Sequence, residues 1–387
     1  MIEMNKRKIA FITSYPLKSE PVIKNRLSPY IGYMNSHNFE VSLFSSDSYD
    51  LSQEIDVKHT PVVGNRKSRG FIKRAYQEFV DAGRLLNTFK QSKIKTCVVT
   101  IPSMFLLFRL GIVKENTVYL DIRDLTWDYL SNTALTQRLF KFLARCIAKT
   151  KIRMVEGVAV TNNTEYQYVR NILKVDKSKI SVVPNGVSRK QFTLLKEVKI
   201  AENNNIVVSY IGNIGIAQNL TVLIDAAEML PNVSFMIVGD GNDRGRVESY
   251  CKSKGISNVT FTGRVTWDKT IAYYGETDIL FAQLDEKFSG AMPSKLYEYL
   301  STGKYVLYGG HGEAKEVLAK FENNTVIEPN NANEIVNAIN IITRNSLNNS
   351  LSGKNKAIIK KCFIREDNVE SFLQKVAVSG RREPEVN

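Results

Sequence analysis

Apolar residues along this chain fall into short dense runs, separated by longer stretches in which apolar positions recur at helical spacing. Runs of the first kind read as strands buried on both faces, and stretches of the second as amphipathic crossover helices. In the first half the runs occupy 8–13, 40–44, 96–101, 117–121, 157–161 and 180–184, with helical patterns at 26–36, 70–90, 134–151 and 163–172. The pattern restarts at 206–211 and continues at 233–238, 259–262, 279–282, 305–308 and 325–327, with helices at about 219–230 and 365–378. Between the halves, the turn Pro184-Asn185-Gly186-Val187 leads into polar residues 190–205, read as a connector. This alternation predicts an α/β fold of two Rossmann-like, doubly wound parallel-sheet domains, 1–190 and 191–364, facing across a cleft. Residues 365–387 are expected to form a C-terminal helix that packs back on the first domain and ends in a frayed tail.

Composition narrows the chemistry. A hydrophobic content of 43% over 387 residues suffices for full cores. The cysteines at 97, 146, 251 and 362 form no CxxC pair, and His occurs only at 37, 59 and 311. That argues against a zinc site or a disulfide framework and fits a reducing compartment. The N-terminal apolar run 9–12 is too short for a signal segment, and no uncharged stretch reaches the ~18 residues of a spanning helix. A cytoplasmic location is expected. Charge changes the picture further: residues 1–190 hold 31 Lys/Arg against 16 Asp/Glu, or +15, whereas 191–387 hold 22 against 23, or −1. No nucleic-acid motif accompanies the basic half. An anionic membrane surface or a phosphate-bearing acceptor suits it, the peripheral site being the inner face of the cytoplasmic membrane; a merely solvated basic face is the alternative.

Candidate chemistry concentrates at strand ends. Gly212-Asn213-Ile214-Gly215, Gly239-Asp240-Gly241 and Gly263-Arg264-Val265 each follow a strand, where glycine lets backbone amides approach a diphosphate or a base. Each taken alone is also an ordinary tight turn. The segment Gly290 to Lys304 is richer: a Pro293-Ser294-Lys295 turn opens a helix that carries Glu298 one turn later. A helix N-terminus, a lysine and a carboxylate on one face can hold a phosphate and a hydroxyl-rich ring together. In the first half, Asp121-Ile122-Arg123-Asp124-Leu125-Thr126-Trp127-Asp128 ends a strand. Asp124 would orient or deprotonate an acceptor hydroxyl and Trp127 would stack on a sugar; a structural ion pair and a core Trp explain the same residues. Residues 138–149 and 70–95 are basic and amphipathic, and either suits an anionic lipid surface; the Arg/Lys cluster 66–74 is the better membrane candidate, and 138–149 is read instead as a domain helix with a core-facing apolar side.

The order of these motifs resembles that of family 4 glycosyltransferases, retaining nucleotide-sugar transferases of GT-B architecture, and most closely the subgroup that builds bacterial O-antigens and capsules. The resemblance implies that Glu298 holds the donor ribose and that Ser289, Gly290 and the residues to Pro293, with the helix start at Ser294, Lys295 and Leu296, meet the diphosphate. It also implies that Arg264 and Val265 meet the base. Gly212, Asn213, Gly215, Gln218, Asp240, Gly241 and Arg244 complete the donor set. Acceptor contacts fall on Ser14, Arg26, Arg123, Asp124 and Trp127. Two departures stand out: Gly290 replaces the first Glu of the family's E-x7-E motif, and Gln218 lies where a diphosphate-binding Lys is usual. Lys295 is the substitute charge, and the catalytic pair implied is Lys295 and Asp124. No DxD pair closes a strand, so no essential metal and no cofactor are expected. An epimerase or hydrolase of nucleotide sugars, or a non-catalytic membrane assembly partner, would share this architecture.

Overall fold

The structure, a computed structural model, describes residues 6–17, 21–46, 56–62, 71–101, 103–123, 125, 127, 134–199, 205–288, 292–342, 347 and 351–379. The chain divides into two compact units, Met1–Asn185 with Arg365–Asn387, and Gly186–Ile364.

The first unit holds β1 (Arg7–Thr13), β2 (Phe39–Ser45), β3 (Lys58–Pro61), β4 (Thr96–Ile101), β5 (Thr117–Ile122), β6 (Gly157–Val160) and β7 (Ile180–Val182). They form one sheet in the order β3-β2-β1-β4-β5-β6-β7, every pairing parallel. The second unit holds β8 (Val207–Ile211), β9 (Ser234–Val238), β10 (Val259–Gly263), β11 (Ile279–Gln283), β12 (Tyr305–Gly309) and β13 (Asn324–Ile327). Its sheet runs β10-β9-β8-β11-β12-β13, again all parallel. In both sheets the order reverses beside the first strand of the unit, which makes each a doubly wound sheet with a switch point at the carboxyl ends of β1/β4 and β8/β11.

The apolar runs become strands because both sheet faces are covered. Val99 and Ile101 of β4 face one cluster with Leu85, Leu106 and Leu120. Val98, with Phe11 and Tyr119, faces another. That second cluster is closed by Val369, Phe372, Leu373 and Val376 from the end of the chain. Phe372 meets Tyr119 edge-on at 5.9 Å, and Arg7 Nη1 donates to the Ala377 carbonyl at 3.0 Å.

Three sequence expectations need correction. Strand β3 did not appear in the apolar pattern, because Lys58-His59-Thr60-Pro61 is a polar edge strand, and Lys and Pro are what blunt an exposed edge. Residues 190–205 are not all connector: the helix Arg189–Leu195 begins there, closed by a capping box between Ser188 and Gln191. The C-terminal pattern 365–378 breaks into two helices, Arg365–Asn368 and Glu370–Ser379.

A buried ion pair ties the first unit across its sheet. Arg26, on the helix Pro21–Ser36, is 5% exposed and Asp121, on β5, 0%. Arg26 Nη2 and Nε donate to Asp121 Oδ1 at 2.7 and 3.2 Å, Nη1 donates to the Val183 carbonyl at 2.7 Å, and Tyr30 donates to Asp121 Oδ1 at 3.0 Å. Burial lowers the basicity of Arg26, but Asp121 and Tyr30 outweigh it and hold the guanidinium above the ordinary arginine value. Removing one partner strands a charge in the core. Asp121→Ala is expected to destabilise the first unit by about 3–5 kcal/mol, read as a lowered denaturant midpoint; a loss below ~1 kcal/mol would show that the pair is not a structural keystone.

Candidate donor-binding site

The second sheet's switch point is opened by the strands themselves. The β8–β11 ladder covers only Val208↔Ile279 and Ser209↔Leu280. Beyond it, the last residue of β8 would face β11 with an unmet backbone N–H and C=O. Tyr299 supplies both partners: Ile211 N donates to its hydroxyl at 2.8 Å, and the hydroxyl donates to Ile211 O at 3.0 Å. On the other strand, Gln283 (2% exposed) donates through Nε2 to the Gln218 carbonyl at 3.1 Å and accepts from Asn330 N at 2.9 Å. The Tyr299 hydroxyl thus takes over the hydrogen bonds that the ladder leaves unmade at Ile211, and the Gln283 amide ties the end of β11 to the neighbouring loops.

Three glycine loops follow β8, β9 and β10 at the same end of the sheet. Gly212 N donates to Val238 O at 2.9 Å, Ile214 N to Asp240 O at 3.0 Å and Gly239 N to Gly263 O at 3.0 Å, so the sheet's lacing continues through the loops. Glycine is required at 239, where φ is +139° and a Cβ would stand 1.9 Å from the Gly212 carbonyl oxygen. Gly215 N donates to Gln218 Oε1 at 3.0 Å, so Gln218 shapes this loop. Asp240 Oδ1 accepts from Gly241 N at 2.9 Å. Arg244 donates to Glu248 at 2.8 Å and lies 3.9 Å from Asp240. Asn213 and Arg264 are exposed, and Val265 packs on the core.

Tyr299 anchors the helix Ser294–Thr302, which begins after Pro293 without a side-chain cap and stops at Gly303, whose φ is +75°. Leu296, Tyr297, Tyr299 and Leu300 bury its inner face. Its first turn points Lys295 back to β8. Lys295 Nζ donates to the Tyr210 hydroxyl and sits 3.9 Å from the ring centroid. Tyr210 in turn donates to the Asn213 carbonyl. A Cβ on Gly212 would meet Nζ at 2.8 Å, so glycine also makes room for the ammonium. Burial of that end lowers the Lys295 pKa to about 7, with Glu298 opposing the shift. Burial also holds the Tyr210 phenol well above its ordinary value, so it stays neutral and cannot serve as the counter-ion.

Glu298, half-buried, is oriented by two residues that sequence reasoning missed. Its Oε2 accepts from Trp267 Nε1 at 3.2 Å and from the Tyr274 hydroxyl at 3.0 Å, both on the helix Trp267–Glu276. The arrangement is a carboxylate fixed in orientation, a lysine whose proton burial makes easy to lose and an uncapped helix start within one turn. It suits an anion joined to a diol. Ser289 and Gly290 lie outside the described residues.

The acceptor set of the first unit is not brought together in this way. Arg26 is spent on Asp121 and Val183. Trp127 is 0% exposed, tilted against Phe108, and donates to the Tyr168 hydroxyl at 3.0 Å; it is a core side chain and presents no face to a sugar. Ser14 is buried, with its carbonyl accepting from Ser46. Arg123 is half-buried, its backbone N donating to Ile101 O at 3.0 Å. Asp124 lies outside the described residues. Among the described residues, Glu286, His311 and Glu328 bring three ligand-type atoms within 4.8 Å. His311 Nε2 lies 3.1 Å from a Glu328 carboxylate oxygen, and that direct contact accounts for the closeness of the two.

Two outcomes are expected from this geometry. Tyr299→Phe leaves the Ile211 N–H and C=O without partners and should lower the stability of the second unit by about 1–3 kcal/mol, read by denaturant unfolding; an unchanged midpoint would show that water replaces the hydroxyl. Lys295 binds fewer protons folded than unfolded between about pH 7 and its ordinary value of 10.5. Wild-type stability should therefore rise with pH across that window relative to Lys295→Met. The Met variant's advantage should be largest at or below pH 7 and shrink towards pH 10; a pH-independent difference would refute the shift.

The family model for glycosyl transferases group 1 matches residues 191–361. A putative colanic acid biosynthesis glycosyl transferase of Escherichia coli is 31% identical over 113 residues, 28% of each chain. The first curated relatives are matched over 62, 28 and 53% of their own lengths. Among solved structures, sucrose-phosphate synthase from Thermosynechococcus elongatus superposes with a TM-score of 0.75 at 15% identity, covering 98% of this chain and 100% of that one. The Anabaena protein HepE in complex with UDP-glucose gives 0.67 at 15% identity, covering 96% and 99%. The two doubly wound sheets are thus the GT-B fold, and the unit that holds Lys295 and Glu298 carries, over residues 191–361, the sequence pattern of the glycosyl transferases group 1 family.

Proposed function

We propose that the protein is a retaining glycosyltransferase that moves a sugar from a nucleotide-diphosphate donor, a UDP-sugar by preference, to a lipid-diphosphate-linked saccharide. The sugar is a hexose or an N-acetylhexosamine, and the pathway builds a bacterial surface polysaccharide such as O-antigen or capsule. The observation that carries the reading is Lys295, whose buried amine meets a neutral phenol at the start of an uncapped helix. A diphosphate arriving there restores the proton that burial has made labile, and the Lys295 ammonium and the helix start together neutralise the charge that grows on the leaving diphosphate as the glycosidic bond breaks. Glu298, held by Trp267 and Tyr274, accepts the ribose hydroxyls. This chemistry asks for no metal. Retention follows if the acceptor hydroxyl attacks from the face the leaving group departs, its proton passing to the leaving phosphate.

The UDP-glucose complex of the Anabaena neighbour supports the donor class, and the colanic acid relative supports the pathway. The charge of +15 over residues 1–190 supports an acceptor borne on an anionic membrane.

Calorimetric titration with UDP at pH 8, in two buffers of different ionisation enthalpy, should reveal proton uptake in the wild type and none in Lys295→Met. Binding without uptake in the wild type would remove Lys295 from the diphosphate. Glu298→Gln should weaken UDP binding, and an equal dissociation constant would refute the ribose role. Lys295→Ala should cost turnover about 2–4 kcal/mol of transition-state stabilisation. Donor consumed equally fast with no acceptor present would favour a hydrolase.

A further inference from the structure

The helix Leu135–Lys151 is built inside out. It packs on the first unit through Lys141, Ala144 and Ala148, its buried residues. Its large apolar side chains face the other way: Leu135 is 79% exposed, Phe142 62%, Leu139 59% and Leu143 49%, with Phe140 and Ile147 also exposed. At 3.6 residues per turn, these six side chains share an arc of roughly 160° opposite the packed face. A soluble helix turns such an arc to the core, so the reading of 138–149 as a domain helix with its apolar side inward is corrected here.

The helix carries Arg138, Lys141, Arg145, Lys149 and Lys151 and no acidic residue. Arg138, Arg145 and Lys149 line one edge of the apolar arc, and Lys151 the other. A wide exposed apolar face rimmed by one sign of charge is the pattern of a helix that lies in a lipid interface. The charge also chooses between occupants. A second copy of this chain would set two wholly basic helices against each other, whereas an anionic bilayer supplies the opposite charge.

We propose that the helix Leu135–Lys151 is an interfacial anchor that lies in the plane of an anionic lipid surface. Leu135, Leu139, Phe142 and Leu143 enter the acyl boundary, and Arg138 and Lys149 reach the headgroups. This names the element that would meet the membrane, and rests on the sugar-transfer reading only for the expectation that the acceptor is lipid-borne. No helix among the described residues is long and apolar enough to cross a membrane, so the anchor lies on the surface.

The test is flotation of the full chain with phosphatidylglycerol/phosphatidylcholine vesicles and with phosphatidylcholine vesicles at low salt. The wild type should float with the anionic vesicles and release at high salt. The Leu139→Ser, Phe142→Ser, Leu143→Ser triple variant should lose more than about tenfold of that binding, with an unaltered unfolding midpoint because the three side chains are exposed. Arg138→Glu with Lys149→Glu should lose the preference for anionic lipid. Wild type that stays with the soluble fraction, or a triple variant that floats equally well, would overturn the proposal. So would a wild-type dimer that the triple variant makes monomeric with no vesicle binding by either. UDP titration of the same samples separates the two readings: vesicle binding with no UDP binding defeats the donor assignment and leaves the anchor standing.

Discussion

The geometry of the candidate site depends on the hydroxyl of Tyr299. Where β8 and β11 part, a sheet loses the partners of one residue's N–H and C=O, and a buried pair of that kind is too costly to leave unmet. Tyr299 meets both from a helix, and so fixes that helix against the strand end. Lys295 lies one turn before it and Glu298 immediately before it, so the separation of two strands determines where a cation and a carboxylate stand. Trp267 and Tyr274 then set the carboxylate's orientation, and Gly212 leaves the space in which the amine lies.

The two units treat a buried cation in opposite ways. Arg26 meets a carboxylate with several hydrogen bonds and keeps its charge, which makes it architecture. Among the described residues Lys295 meets a neutral phenol and an aromatic face, Glu298 offsets its burial only in part, and its amine is left with a weakened hold on its proton. A satisfied charge has little left to offer a ligand, whereas an under-satisfied one gains when an anion arrives.

The strands were legible in the sequence because parallel strands buried on both faces must be apolar throughout; β3 was not, because an edge strand is under no such demand. The glycine loops and the Pro293-Ser294-Lys295 turn were also visible, since their chemistry is local. Tyr210, Trp267, Tyr274 and Tyr299 were not, because each acts on a partner from another element and nothing in its neighbourhood along the chain marks it. The same limit explains Arg26 and Trp127, whose types suit a ligand but whose partners, Asp121 and Tyr168, lie 95 and 41 residues away. Periodicity gave the Leu135–Lys151 helix its amphipathic character but not its sense, since a wheel shows which residues share a face and not what that face meets.

The helix Glu370–Ser379 has a consequence for synthesis. Val369, Phe372, Leu373 and Val376 complete a core whose other buried members lie before residue 184. The second unit is continuous in sequence and can close once residue 364 has emerged from the ribosome. The first unit, although its strands are made first, keeps one wall of its core open until residues 369–376 have emerged, so a nascent chain displays Phe11, Tyr30 and Tyr119 throughout synthesis of the second unit.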